Sequence, residues 1–291
     1  MTKPLMNPLV KKDLKVTSRS MKFSWSLFAY LGFLAIIFLL TMMSLSQSAR
    51  YRTGANNAYV YKNYLSFFPV IGIAQLILIG IIIPVMTAAS ISGERERKTL
   101  DVLLTTSISP LSIVLGKTAS AVIRVMIFVF ASIPLMAIAF IVGGLSWLTL
   151  FEYIFLAFIF ACFAGAIGVF CSSVCKKTVT AIILSYVIYA GFYGVLYVPA
   201  LMVGLSGTGD RSILGILLLQ LFNPLHNFIV FFVDKLWAIS LGEAVVATRQ
   251  GSFLEWIYST NVWITISCIF QIGIAALFVL FSVMRIKPGE K

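Results

Sequence analysis

The sequence predicts an all-α polytopic membrane protein with six spans, and three observations predict it. The 291 residues are 60% hydrophobic and only 11% charged, with a mean hydropathy of +1.01. A soluble chain of this length exposes far more charge. Apolar runs of about 20 residues, the length that crosses a hydrocarbon core, recur along the chain. Lysine and arginine gather in alternate connections, as the positive-inside rule requires.

Residues 1–22 hold Lys3, Lys11, Lys12, Lys15, Arg19 and Lys22 against one acid, Asp13. Leu5, Leu9, Val10 and Leu14 fall near helical spacing and Pro8 stands near a helix start, which predicts a basic interfacial helix lying along the headgroups. A full-length span follows this leader with no small-residue cleavage site, so it is not expected to be a removable signal. Residues 23–45 supply the first span, 47–63 a polar loop, and 66 to about 90 the second span. A charged loop over 91–117 separates it from the third, read as the uninterrupted run 125–142. Gly143 and Gly144 make a turn, and the fourth span covers 148–174, closed by Lys176 and Lys177. The fifth covers 179–203 and the sixth 262–284, ending in Arg285, Lys287 and Lys291.

The segment 204–260 contains an ambiguous piece, 213–233, apolar enough to cross but interrupted by Asn223, Pro224, His226 and Asn227. Charge decides its role. With six spans, 16 Lys and Arg fall in inner segments and 6 in outer ones, and a seventh span would move the basic tail outside. The piece is therefore predicted to form two short helices that dip into the outer leaflet and return, broken at Asn223-Pro224. Both termini are expected in the cytoplasm.

The chain is organised around the charged loop. Glu94, Arg95, Glu96, Arg97, Lys98 and Asp101 crowd into eight residues, followed by Leu100, Leu103 and Leu104 at i, i+3 and i+4 on one helical face,. A short amphipathic helix at a membrane face either lies on headgroups or docks into a partner protein. Three acids against three bases favour the partner. Ser109-Pro110 reads as a helix start, with Ser as cap and Pro in first position. Leu111 to Thr118, LSIVLGKT, ends like a phosphate-binding loop but has Leu111 where the first glycine belongs, so a helix is expected there instead.

Elsewhere the polar residues are few. Tyr186, Tyr189, Tyr193 and Tyr197 share one face of the fifth span; the stripe lines a path or a dimer seam, or serves packing alone. Arg124 either snorkels to the inner headgroups or contacts the loop region. Gln75 and Gln271 are weaker polar candidates within spans. Ala161, Gly165, Ala166 and Gly168 allow close helix approach. His226 is the single histidine and has no acid or thiol at ligand spacing, so neither a metal site nor a catalytic base is expected. Cys162, Cys171, Cys175 and Cys268 show no metal or redox spacing and read as packing residues. The net charge of +12 comes without the arginine runs and interleaved aromatics that accompany nucleic acid, so no nucleic-acid partner is expected.

At the loop the chain resembles the permease subunit of ABC-2 type ABC transporters. The resemblance is carried by Gly93, Glu94, Arg95, Glu96, Thr99, Leu100, Asp101, Leu103, Leu104, Thr105 and Thr106, continuing through Ser109, Pro110, Leu111, Gly116 and Lys117. Lys98 stands where the family commonly has Gly, and Ser107 where Pro often follows the threonines. The resemblance implies one ABC-2 transmembrane domain over residues 1–291. It implies a bacterial plasma-membrane exporter, with two permease subunits, identical or homologous, driven by separate cytoplasmic ABC ATPases that carry the ATP and Mg. No cofactor would be bound by this chain. Glu94, Arg95, Glu96, Leu100, Asp101, Leu103 and Leu104 would form the ATPase-coupling helix. Two rival classes remain. An intramembrane enzyme would need His, Asp or Ser clusters at membrane depth, and none is present. An ion-coupled carrier would place acids near the midplane of spans, where only Glu152, at the outer end of the fourth span, comes near.

Overall fold

The computed structural model describes residues 8–51, 67–99, 109–143, 146–198, 219–237 and 260–286. Nine α-helices and one 3-10 turn account for nearly all of them, and no strand occurs among the described residues. The helices are α1 Pro8–Ser18, α2 Met21–Tyr51, α3 Phe67–Glu96, α4 Pro110–Ala131, α5 Ile133–Gly143, α6 Trp147–Val174, α7 Thr178–Tyr193, α8 Pro224–Trp237 and α9 Thr260–Ile286; the 3-10 turn Val195–Tyr197 follows α7. Among the described residues, six segments are long and apolar enough to cross a membrane: Met21–Ser44, Phe68–Glu96, Pro110–Ala131, Trp147–Val174, Thr178–Tyr197 and Val262–Ile286. The predicted count and order are therefore found, and the predicted break at Asn223-Pro224 is present as a turn preceding α8. The first of the two predicted short helices, most of the segment 204–260, the loop residues 100–108 and the end of the fifth span lie outside the described residues.

Two boundaries differ from the sequence reading. The third span starts at Pro110 rather than Val125 and runs through Lys117 and Arg124. The apolar run read as that span is itself interrupted at Ser132. Pro134 lacks an N–H, and Ser132 divides its own N–H between Phe128 O and Val129 O (3.1 and 3.2 Å), so the ladder bends there,. The second span does not stop near residue 90: α3 continues to Glu96, which puts Glu94, Arg95 and Glu96 on its last turn, with Arg97 and Lys98 in the turn that follows.

The chain divides into two compact units. Unit 1 comprises Met1–Ile83 and Leu115–Ala161. Its packing is aromatic: Phe128 meets Phe23 and Tyr30 edge-on at 5.5 and 5.1 Å, and Phe68 meets Tyr153 at 5.5 Å. Tyr153 also donates to the Gly72 carbonyl at 3.3 Å, so its polar tip is satisfied within the core,. Unit 2 comprises Pro84–Val114 and Cys162–Lys291. There α3 and α6 approach so closely that a Cβ on Gly168 would fall 1.8 Å from Thr87 Oγ1 and 2.7 Å from Thr87 Cβ. The small-residue packing read from the sequence is realised at that position. Phe163 against Phe192 and Phe170 against Phe278 bring α6 onto α7 and α9.

Candidate functional site

Gly93, Glu94, Arg95 and Glu96 form the last turn of α3. The helix closes with the paired bonds of a Schellman motif: Thr99 N–H donates to Glu94 O at 2.9 Å, and Lys98 N–H to Arg95 O at 3.1 Å. That motif needs a left-handed residue, and Lys98 supplies it at φ 57°,. Only glycine takes this conformation without steric cost. The lysine found where the resembled family commonly has Gly is thus a strained solution to the same turn.

Arg95 and Glu96 are engaged inside the chain, each at the end of a different helix. Arg95 Nη1 donates to Cys175 O (2.7 Å) and Nη2 to Ser173 O (3.0 Å). Those carbonyls end α6, where the last C=O groups lack helical partners and the macrodipole is negative. Glu96 Oε1 accepts the Thr178 N–H and Oε2 the Thr178 hydroxyl, both at 2.8 Å. Thr178 opens α7, whose N-cap Lys177 makes no side-chain cap. A carboxylate from 82 residues upstream therefore does what an Asp or Ser cap does locally, at the positive end of the helix.

The same junction is tied one turn earlier. Ser172 Oγ accepts the backbone N–H of Ile91 (2.9 Å) and of Ser92 (2.8 Å), and Ser92 Oγ lies 3.5 Å from Thr178 Oγ1. Ile91, Val114, Val169, Val283 and Ile286 form one buried apolar cluster, with Val279 packed against it. The two helices that flank residues 100–108 thus share one apolar cluster, α3 through Ile91 and α4 through Val114. The start of α4 is capped as expected, Ser109 Oγ accepting the Ser112 N–H at 3.3 Å with Pro110 in first position. Leu111 to Thr118 is helical, as predicted in place of a phosphate loop. Of the coupling residues predicted from the sequence, Glu94 is half-buried, and Leu100, Asp101, Leu103 and Leu104 lie outside the described residues.

A second polar cluster joins α1 to α4. Lys117 Nζ lies 3.3 Å from Asp13 Oδ2, with the side chains 9% and 22% exposed, and Ser120 Oγ lies 3.4 Å from the same oxygen. Arg124 donates from Nε to Ser120 O at 3.0 Å and interacts electrostatically with Asp13. The lone acid of the basic leader is thus the ion-pair partner of Lys117 in the third span, and Arg124 is held beside it through the Ser120 carbonyl. This explains how that span accommodates charges that the sequence reading took for its boundary.

The tyrosine stripe divides. Tyr189 is 4% exposed, its hydroxyl donates to Ala164 O, and its ring stacks on Tyr193 at 5.4 Å. Tyr186 is half-buried. Tyr197 Oη lies 3.1 Å from His226 Nδ1. His226 packs edge-on against Trp263 at 5.6 Å, and burial pushes its pKa down to about 4. Around the α8 break, Gln220 Nε2 donates to Leu196 O (2.6 Å), Asn223 Oδ1 accepts the Leu225 N–H (3.0 Å), and Ser267 Oγ donates to Leu221 O (2.5 Å). Gln271 donates to Ser267 Oγ at 3.0 Å. Gln75 is fully buried in α3, and its amide has no hydrogen-bond partner among the described residues. Among the described residues, no three His, Cys, Asp or Glu side chains converge as a metal site does.

Sequence reasoning missed Thr178, Ser172, Asp13 and Ser120 as site residues. The lysine pair before Thr178, unable to cap α7, and the isolated acid in a basic leader were the available signals.

A comparison with curated proteins gives no match. A family profile described as ABC-2 family transporter protein matches residues 8–284, almost the whole chain. With six spanning-length apolar helices over the same residues, this makes it a multi-pass membrane component on the permease side of an ABC transporter, not the ATP-hydrolysing side. The chain belongs to the ABC-2 transporter family.

Proposed function

We propose that this chain is the membrane-spanning half of an ATP-driven exporter, paired with a second permease and driven by cytoplasmic ABC ATPases. The segment 100–108 is the coupling element, with Leu100, Leu103 and Leu104 filling a groove on the ATPase and Glu94 and Asp101 at its charged edge. The observation that carries this reading is the construction of the segment's two ends. On one side α3 is finished by a hydrogen-bonded turn through Thr99, and on the other α4 begins with a Ser109 cap. Ile91 and Val114, behind those ends, share one apolar cluster. A push on a segment mounted in this way moves helix ends, whereas a push on an ordinary solvated loop is absorbed by the loop.

Arg95 and Glu96 then act at the base of the coupling element, and the leucine face makes the partner contact. Within the tyrosine stripe, Tyr189 and Tyr193 pack and Tyr186 is the member assigned to the path or the dimer seam. Both termini face the cytoplasm, and α8 belongs to a re-entrant outer segment.

Affinity purification of the chain from its native membrane tests the reading. The wild type should bring down an ABC ATPase, and Leu103→Asp with Leu104→Asp should lose it while keeping the permease in the membrane. Retention of the ATPase by that variant, or transport that persists when every ABC ATPase partner is absent, would sink the proposal. The second result would favour an ion-coupled carrier.

A further inference from the structure

We infer that Arg95 and Glu96 form a two-ended clasp that delivers movement of the coupling element to the start of the fifth span, with Glu96 and Thr178 as its working contact. The inference rests on the coupling role proposed above and assigns the route inside the chain. Four bonds between 2.7 and 3.0 Å hold the junction of α6 and α7 to the last turn of α3. Their charges are sorted. The guanidinium meets the negative end of α6 and the carboxylate the positive end of α7, so each half of the clasp strengthens the other's orientation.

The geometry favours transmission to α7 over a purely local stabilising role. Lys177 offers α7 no side-chain cap, and the carboxylate that meets the first N–H of that helix comes from α3. Thr178 is also the point where several parts of α3 meet: Glu96 bonds both its N–H and its hydroxyl, and Ser92 Oγ lies 3.5 Å from its Oγ1. The turn through Lys98 and Thr99 closes on the carbonyls of Glu94 and Arg95 themselves. Residues 94–96 therefore move as a rigid stub with the chain that enters the coupling element, and whatever displaces the stub displaces the first turn of α7.

Hydrogen–deuterium exchange on the permease–ATPase complex in nanodiscs, with and without MgATP and vanadate, tests the clasp. In the wild type, vanadate trapping should change exchange both in peptides covering 109–117 and in peptides covering 178–193. Glu96→Ala should keep the ATPase bound and keep the change at 109–117, yet lose the change at 178–193. Glu96→Gln, which still offers an oxygen to the Thr178 N–H and an amide to its hydroxyl, should restore it. Thr178→Val, a milder variant that removes one of the two bonds, should reduce it.

A nucleotide-linked change at 178–193 that survives in Glu96→Ala would overturn the clasp. So would a Glu96→Ala chain that no longer binds the ATPase, because Glu96 would then be a docking residue, and so would a failure of Glu96→Gln to rescue. A wild-type complex that binds no ATPase, or shows no nucleotide-linked change at 109–117, defeats the coupling reading itself and is recognisable as that separate result.

Discussion

Lys98 shows how a single residue records a compromise. At φ 57° an L side chain crowds the following carbonyl, at a cost of about 1–2 kcal/mol. Glycine removes that cost but gives back roughly 0.4–1 kcal/mol through the greater freedom of the unfolded chain. Lys98→Gly should therefore stabilise the protein by about 1 kcal/mol or slightly less, read as a higher thermal midpoint in detergent. An unchanged or lower midpoint would mean that the lysine earns its place through a contact of its own. The family resemblance pointed to this position, where Lys98 departs from a commonly found glycine. It could not reveal that the lysine keeps glycine's conformation, because backbone angle is set by the bonds from Thr99 and Lys98 to the preceding turn. Residue chemistry was legible where a residue acts on near neighbours, as with the Ser109 cap and the Asn223-Pro224 break. It was not legible for Glu96, whose partner is 82 residues away.

At the level of elements the same distinction explains the third span. Its start was placed at Val125, where the uninterrupted apolar run begins, beyond Lys117 and Arg124, charges that are costly inside an apolar helix. The helix nevertheless runs through both, since α1 brings Asp13 within 3.3 Å of Lys117 and into electrostatic contact with Arg124. The leader is thus more than a headgroup float: it is fastened to α4 by its only acid. Removing one member of such a pair leaves a desolvated charge behind, while removing both does not. Asp13→Asn and Lys117→Met should each destabilise the protein by about 1–3 kcal/mol, less than for a fully buried pair because Asp13 keeps 22% of its side chain exposed,. The double variant should cost less than the sum of the two, a coupling of about 1 kcal/mol or more in a double-mutant cycle. Additive costs would show that the 3.3 Å approach contributes nothing to holding α1 in place. The six apolar helices and their order were readable because length and hydropathy are local properties. The cluster at Asp13 joins residues 104 apart in sequence, and only the fold brings them together.

For the molecule as a whole, the charge distribution makes a claim that local packing does not. With six spans read from the sequence, sixteen basic residues, counting Lys117 and Arg124 that the structure sets within the third span, fall toward one side and six toward the other, and a bilayer with a negative inner surface reads that asymmetry as orientation. The clasp adds an independent constraint. The end of α3, the start of α4 and the junction of α6 and α7 are bound to one another or share one apolar cluster, so they must lie at the same face. In a six-span chain that face is the one shared with both termini. Single cysteines placed in a background without Cys162, Cys171, Cys175 and Cys268 can test this. Lys98 and Lys177 are exposed at the clasp face, and Ser146 is exposed just before α6 begins. Lys98→Cys and Lys177→Cys should resist a membrane-impermeant maleimide in intact cells and react once the inner face is opened, whereas Ser146→Cys should react from outside. Labelling of all three from the same side would break the alternation on which the six-span count stands. Labelling of the clasp positions from outside would keep the count but invert the protein, removing the charged turn from any cytoplasmic motor.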